Sequence, residues 1–142
     1  MIEILITLSI MGIVTSISIG VLHSLSNTES LDKETELVLS YINRTRSNAI
    51  NSLNFEEQGV QFSSSTVRIY YGIDPEANST STTYTLSSSN VIQNVNLSNN
   101  LSSFYFYKLS GEPSATGTLT IRNSDGQEKT IIIYGTGISD VQ

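Results

Sequence analysis

The sequence contains no cysteine and only one histidine, His23. Without cysteine, neither a disulfide framework nor a thiolate metal site can form, so the fold depends on packing and hydrogen bonding. One imidazole is too few for a histidine-rich metal site, and it makes a Ser-His-Asp triad a poor interpretation. We therefore expect a protein that is not an enzyme and that holds no metal or other cofactor.

Basic residues are also few. Seven lysines and arginines stand against thirteen acidic residues, and the net charge is −6. This is the wrong sign for a surface that gains affinity by neutralising phosphates, so nucleic acid is not an expected partner. A Gly-rich phosphate loop is missing from the sequence. Asn123, Asp125 and Glu128 lack the spacing of an EF-hand and are better explained by a turn.

The chain opens with MIEILITLSIMGIVTSISIGVL, in which Glu3 is the only charged residue. As a helix this stretch would be about 33 Å long, close to the roughly 30 Å of a hydrocarbon core. A cleavable signal fits less well, because a basic n-region and an A-x-A-like site are missing. We expect a transmembrane helix over residues 1–25. Glu3 would then either reach the headgroups or face a partner, as acids inside a membrane usually do.

The pattern changes twice after this segment. An amphipathic helix is predicted over residues 28–52, with a buried face of Leu31, Thr35, Val38, Ile42, Thr45, Ala49 and Leu53. Short strands follow from about residue 59 to residue 134, and a tight hairpin is expected around Asp125-Gly126. The predicted fold is α+β: a long N-terminal helix, membrane-spanning in its first half, packed on an antiparallel β-sheet head formed within residues 26–142.

Three stretches resemble one protein superfamily. MIEILITLSIMGIV resembles the N-terminal signature of type IV pilins and type II secretion pseudopilins, with Glu3 at the acidic position and Gly12 at the small-residue position. NRTRSNAINS at 43–52 and TLTIRNSDGQEKTIIIYGTGIS at 118–139 are similar to the helix motif and the terminal hairpin of the GspH/FimT-like branch of minor pseudopilins and pilins. Residues 54–117 add nothing to the resemblance.

The resemblance implies a structural subunit, more specifically a minor one, of a type IV pilus or a type II secretion pseudopilus. It would polymerise through its N-terminal helix, and Glu3 would pair with the amino terminus of a neighbouring subunit and fix the register. The residues implied in helix packing are Ile2, Ile4, Leu5, Leu8, Gly12 and Gly20. We expect Glu3→Ala to impair incorporation into filaments, because it removes one partner of a buried ion pair.

The implied partners are other pilin or pseudopilin subunits, the inner membrane before assembly, and a prepilin peptidase if a leader precedes this sequence. The implied localisation is single-pass in the inner or cytoplasmic membrane, and then in a periplasmic or cell-surface filament. Some members of the branch bind DNA through arginines near the closing glycines. Here that region reads YGTGISDVQ without arginine, so DNA is an unlikely partner.

Other functions stay open at this stage. The chain could be a major pilin, or a single-pass membrane-anchored binding module that never polymerises and whose head recognises a ligand. A soluble secreted enzyme is a more distant alternative. Arg44 and Arg46 could contact a partner, but we expect them to be solvated or paired with nearby acids.

Overall fold

The computed structural model describes residues 2–51, 56–77 and 81–142, without the side chains of residues 16–24. Over these ranges the chain forms one helix and eight strands, and the fold is α+β. The elements are α1 (Ile2–Ile50), β1 (Gln58–Phe62), β2 (Thr66–Tyr71), β3 (Ser81–Thr85), β4 (Asn90–Leu97), β5 (Ser103–Phe106), β6 (Gly117–Asn123), β7 (Glu128–Ile133) and β8 (Ser139–Val141).

The second half of α1 is amphipathic. Its buried side chains recur every three or four residues, which is the spacing of one helix face. They are Leu31, Thr35, Val38, Ile42, Thr45 and Ala49, each at most 1% exposed. The predicted face is confirmed at these positions, and Leu53 lies outside the described residues. Thr35 and Thr45 tolerate burial because each hydroxyl donates to the carbonyl four residues earlier, at 2.7 Å.

The strands form two antiparallel sheets. One sheet has the order β3-β2-β1-β5, and the other has the order β4-β6-β7-β8. Val60 on the central strand β1 lies opposite Ile69 of β2 and Phe104 of β5. The strand pattern leaves open whether there is one sheet or two, and the structure has two because the chain leaves the first sheet at β4 and returns to it at β5. Alternating hydrophobicity identifies a strand but does not say which strand pairs with it.

The core lies between α1 and the two sheets. The ring of Phe104 contacts those of Phe62 and Phe106, at centroid distances of 6.1 Å and 5.1 Å. The second sheet contributes aliphatic side chains to the same cluster: Ile92, Leu97, Leu119, Ile121, Ile131 and Ile133. Because one helix face covers both sheets, the position of α1 is fixed along its second half.

The hairpin predicted at Asp125-Gly126 is present between β6 and β7, and Arg122 lies opposite Glu128 in it. Only Gly126 of the predicted dipeptide has a positive φ, of 84°. The connection has three residues, because the Asn123 amide donates to the Gln127 carbonyl at 3.0 Å. The Gly126 amide closes the turn onto the Asn123 carbonyl at 3.1 Å. The hairpin is therefore closed by a three-residue connection that ends in a glycine at positive φ.

The prediction of a membrane-spanning first half is wrong. Among the residues whose side chains are described, no helix is long and apolar enough to cross a membrane. The exposed apolar run at the start of α1 is described as far as Val14, and residues 2–15 are about 21 Å long, short of the roughly 30 Å needed. The part of α1 from residue 25 onward carries four acids on its first turns: Glu29, Asp32, Glu34 and Glu36. The localisation predicted from a single-pass anchor is wrong for the same reason.

Candidate assembly surface

The first part of α1 presents an apolar surface that the rest of the described chain does not cover. Large apolar side chains over residues 2–15 are each between 54% and 75% exposed. They are Ile2, Ile4, Leu5, Ile6, Leu8, Ile10, Met11, Ile13 and Val14. We call residues 2–15 the apolar segment. A continuous exposed surface of this kind is typical of an interaction site.

Hydroxyl groups in the apolar segment are satisfied within the helix itself. Thr7 donates to the Ile4 carbonyl at 3.0 Å, and Ser9 donates to the Leu5 carbonyl at 2.8 Å. Thr15 donates in the same way to the Met11 carbonyl at 2.8 Å. Polar groups that already have a partner cost less to remove from water. The segment can therefore be buried by another molecule without leaving these donors unpaired.

The positions implied in helix packing are Ile2, Ile4, Leu5, Leu8, Gly12 and Gly20. The first five lie in the apolar segment, where they are exposed to solvent. A Cβ on Gly12 would meet no atom within 4 Å. Gly12 is therefore not needed for packing within the described chain, and it leaves room for a close approach from outside. Gly20 lies among the residues whose side chains are not described.

Glu3 is exposed at the start of the apolar segment. Among the described residues it has no ion-pair or hydrogen-bond partner. A carboxylate at this place would have to be paired if the segment were covered by an apolar surface. The structure brings Glu3 together with the apolar side chains but not with a cation, so its role in register stays a prediction.

Hydrogen bonds from Asn27 and Thr28 of α1 to the β6–β7 hairpin hold the helix against the second sheet. Asn27 Nδ2 donates to Asp125 Oδ2 at 3.0 Å, and the Thr28 hydroxyl donates to the Gln127 side-chain carbonyl at 2.8 Å. One turn further on, Asp32 and Lys129 form an ion pair at 3.1 Å. Asp125 thus has a second function besides forming the turn, because it also binds the helix.

Two charged side chains on α1 have structural roles that the sequence analysis missed. Arg46 donates from Nε to the Gly111 carbonyl at 3.2 Å and from Nη2 to the Thr136 carbonyl at 3.0 Å. Glu34 is buried and accepts from the Ser87 amide at 2.9 Å. The expectation that Arg46 is solvated or paired with an acid is therefore wrong. A signal did exist, since Arg46 lies in the motif at 43–52 and Thr136 in the glycine corner at 134–139.

The exposed face of α1 carries an ion pair between two residues on adjacent helical turns. Lys33 Nζ lies 2.8 Å from Glu29 Oε1. The hydrogen bond and the charge of Lys33 lower the pKa of the Glu29 carboxyl. Both side chains are largely exposed, so the pair contributes little to stability and mainly keeps this face polar.

The residues weighed for other chemistry do not come together in the described part of the chain. The side chain of His23 lies outside the described residues. Asn123 Oδ1 accepts from the amides of Asp125 and Gln127, at 3.1 and 2.9 Å, and so shapes the turn. Within the described ranges, no three acidic or histidine side chains are placed to hold a metal ion.

Comparison of the sequence and the fold with protein-family models, curated proteins and solved structures gave no match. The resemblance to pilins and pseudopilins thus depends on the residues quoted above. One geometric finding bears on it, because the motif at 43–52 contacts the glycine corner through Arg46. The two stretches that carry the branch resemblance lie next to each other.

Proposed function

We propose that this protein is a structural subunit of a filament of the type IV pilus or type II secretion pseudopilus kind, and that it polymerises through the apolar segment. The observation that carries the proposal is a helix that is packed on two sheets from Asn27 onward and exposed and apolar over residues 2–15. A minor subunit is the more specific proposal, supported by the contact between the motif at 43–52 and the glycine corner.

The physical reason for assembly is the apolar area that the segment exposes. Burying one large aliphatic side chain is worth about 1.5–3 kcal/mol, and the segment offers several of them on every side. Association has to offset lost translational and rotational freedom, which costs on the order of 4–15 kcal/mol. Covering the segment with surfaces of neighbouring copies can meet this cost, and a charge on Glu3 would restrict the copies to registers in which a cation lies nearby.

Replacing Leu8 by lysine should abolish self-association. Leu8 is 61% exposed in the apolar segment, and Leu101 is 60% exposed on the head. Leu8→Lys would place an unpaired ammonium in the buried contact, and a cost of about 3 kcal/mol weakens association roughly a hundredfold. Sedimentation velocity over a range of concentrations, with electron microscopy of the same samples, measures the assemblies.

Leu101→Lys is the matched control, because residue type, exposure and added charge are the same. We expect it to assemble as the unaltered chain does. If the unaltered chain stays monomeric at every concentration, or if Leu8→Lys assembles as well as Leu101→Lys does, polymerisation through the apolar segment is refuted. Circular dichroism of both variants checks that the head remains folded.

A further inference from the structure

Two turns meet at the end of the head where α1 finishes. The turn at 107–111 is closed by the Gly111 amide on the Tyr107 carbonyl at 2.9 Å, and the turn at 134–138 by the Gly137 amide on the Tyr134 carbonyl at 2.9 Å. Arg46 joins them, because it donates to carbonyls in both turns. The Leu109 amide donates to the Ala49 carbonyl at 3.0 Å and so ties the first turn to the end of the helix.

These turns and the helix end carry exposed large apolar side chains. We call the set the pole patch: Ile50, Tyr107, Leu109, Tyr134 and Ile138. Leu109 is 71% exposed, about as much as the residues of the apolar segment. The side chain of Ile50 lies against Gly111, where an added Cβ would come within 2.5 Å of it. The patch is therefore built on closely packed backbone.

Leu109 has an unfavourable backbone conformation in addition to its exposure. Its φ is +68°, in the left-handed region that glycine and asparagine adopt readily and leucine does not. Its amide is used to cap the helix, so the turn itself would be formed equally well by glycine. A large apolar side chain held out to solvent at a backbone cost indicates a contact with another molecule.

We propose that the pole patch receives the apolar segment of a second copy of this chain. The inference depends on the proposed function and names the surface that meets the segment. The two surfaces lie at opposite ends of α1, about 50 Å apart along the helix from residue 15 to residue 49, so they cannot meet within one chain. Contact between two different surfaces of identical copies is heterologous, and unless it closes into a ring it produces an open filament.

The charges on the two surfaces are complementary. Glu3 is the one charged residue of the apolar segment. Lys108 is exposed beside Leu109, and the guanidinium of Arg46 lies beneath the two turns, with Glu112 following at the edge. An apolar segment with one acid at its tip therefore meets an apolar patch with one exposed cation, Lys108, beside it.

A mixing experiment tests this heterologous contact. Leu8→Lys has a defective segment and an intact patch, whereas Leu109→Asp has an intact segment and a defective patch. Aspartate is tolerated at positive φ, and Leu101→Asp is the matched control on another exposed leucine. We expect each defective variant alone to be monomeric, the equimolar mixture to form one-to-one dimers, and Leu101→Asp to assemble as the unaltered chain does. Sedimentation velocity measures all of these states.

The inference is overturned if Leu109→Asp assembles as Leu101→Asp does, or if the two defective variants do not pair when mixed. Either result would leave the proposed function standing, provided that the unaltered chain assembles and Leu8→Lys does not. If thermal unfolding shows that Leu109→Asp is unfolded, Leu109→Gly replaces it, since glycine fits the backbone. Leu109→Gly should unfold at the same temperature as the unaltered chain or higher, and its self-association should be weaker by about tenfold or more.

Discussion

Phe106→Ala is expected to lower the free energy of unfolding by about 3–5 kcal/mol, the usual cost of truncating a fully buried phenylalanine. The Phe106 side chain is completely buried, and its ring meets Phe104 edge to face at a centroid distance of 5.1 Å. It lies on the edge strand β5, opposite Gln58 of β1. Because domains of this size are stable by only about 5–15 kcal/mol, the loss would be a large share of the total.

Urea unfolding followed by circular dichroism measures this loss. Tyr107→Ala is the control, because Tyr107 is the next residue along the chain and its side chain is exposed. We expect the control to change the free energy of unfolding by less than about 1 kcal/mol. Equal losses for the two variants would mean that Phe106 does not occupy the core position described here.

Gly137→Ala is expected to destabilise the head by about 2–4 kcal/mol, since a left-handed alanine costs about 1–2 kcal/mol before any steric conflict. Gly137 has a φ of +79°. An added Cβ would come within 2.2 Å of the Gly111 carbonyl oxygen and 2.6 Å of Arg46 Nε. The substitution would therefore force the two turns apart and weaken the hydrogen bond from Arg46 to Gly111.

Gly135→Ala is the matched control two residues earlier. A Cβ there would meet only Thr116 Cγ2, at an ordinary contact distance of 3.8 Å. We expect a change within about 0.5 kcal/mol by the same urea measurement. If the two variants are equally stable, the turns at 107–111 and 134–138 do not pack closely at Gly137. The arrangement of the pole patch described above would then be wrong.

Local features were predictable from the sequence because their signals are local. The spacing of Leu31, Val38 and Ile42 identified the buried face of α1, and Asp125-Gly126 identified the hairpin. Most strand positions followed from alternating residues and turn residues. The short strand β8 was not predicted, because it contains only Ser139, Asp140 and Val141 and pairs through its backbone.

Features that depend on contacts between distant residues were not predictable. The division of the strands into two sheets depends on pairing partners, which hydrophobic alternation does not encode. The alternating residues predict a strand over Phe104–Leu109, but β5 ends at Phe106 because the Tyr107 amide donates to the Glu112 carbonyl at 2.9 Å. Composition made the first half of α1 look suited to a membrane, but the apolar residues described there are too few to cross one.

The apolar side chains from Ile2 to Leu8 lie exposed on one helix, and their role in packing between subunits stays a prediction. The role of Arg46 in joining the two turns was not foreseen, because it required knowing that residues 111 and 136 meet at the helix end. The exposure of Leu109 and its positive φ could be found only from the three-dimensional structure, because the sequence carries no signal for either.

The most direct measurement of the central claim is the chemical accessibility of the apolar segment before and after assembly. The chain has no cysteine, so Met11→Cys gives one reactive thiol in the segment and Leu101→Cys gives one on the head. In dilute protein, both thiols should react with a maleimide at similar rates. In concentrated, assembled protein, we expect Cys at position 11 to react much more slowly while Cys at position 101 is unchanged. Equal reactivity at position 11 in both states would contradict assembly through the apolar segment.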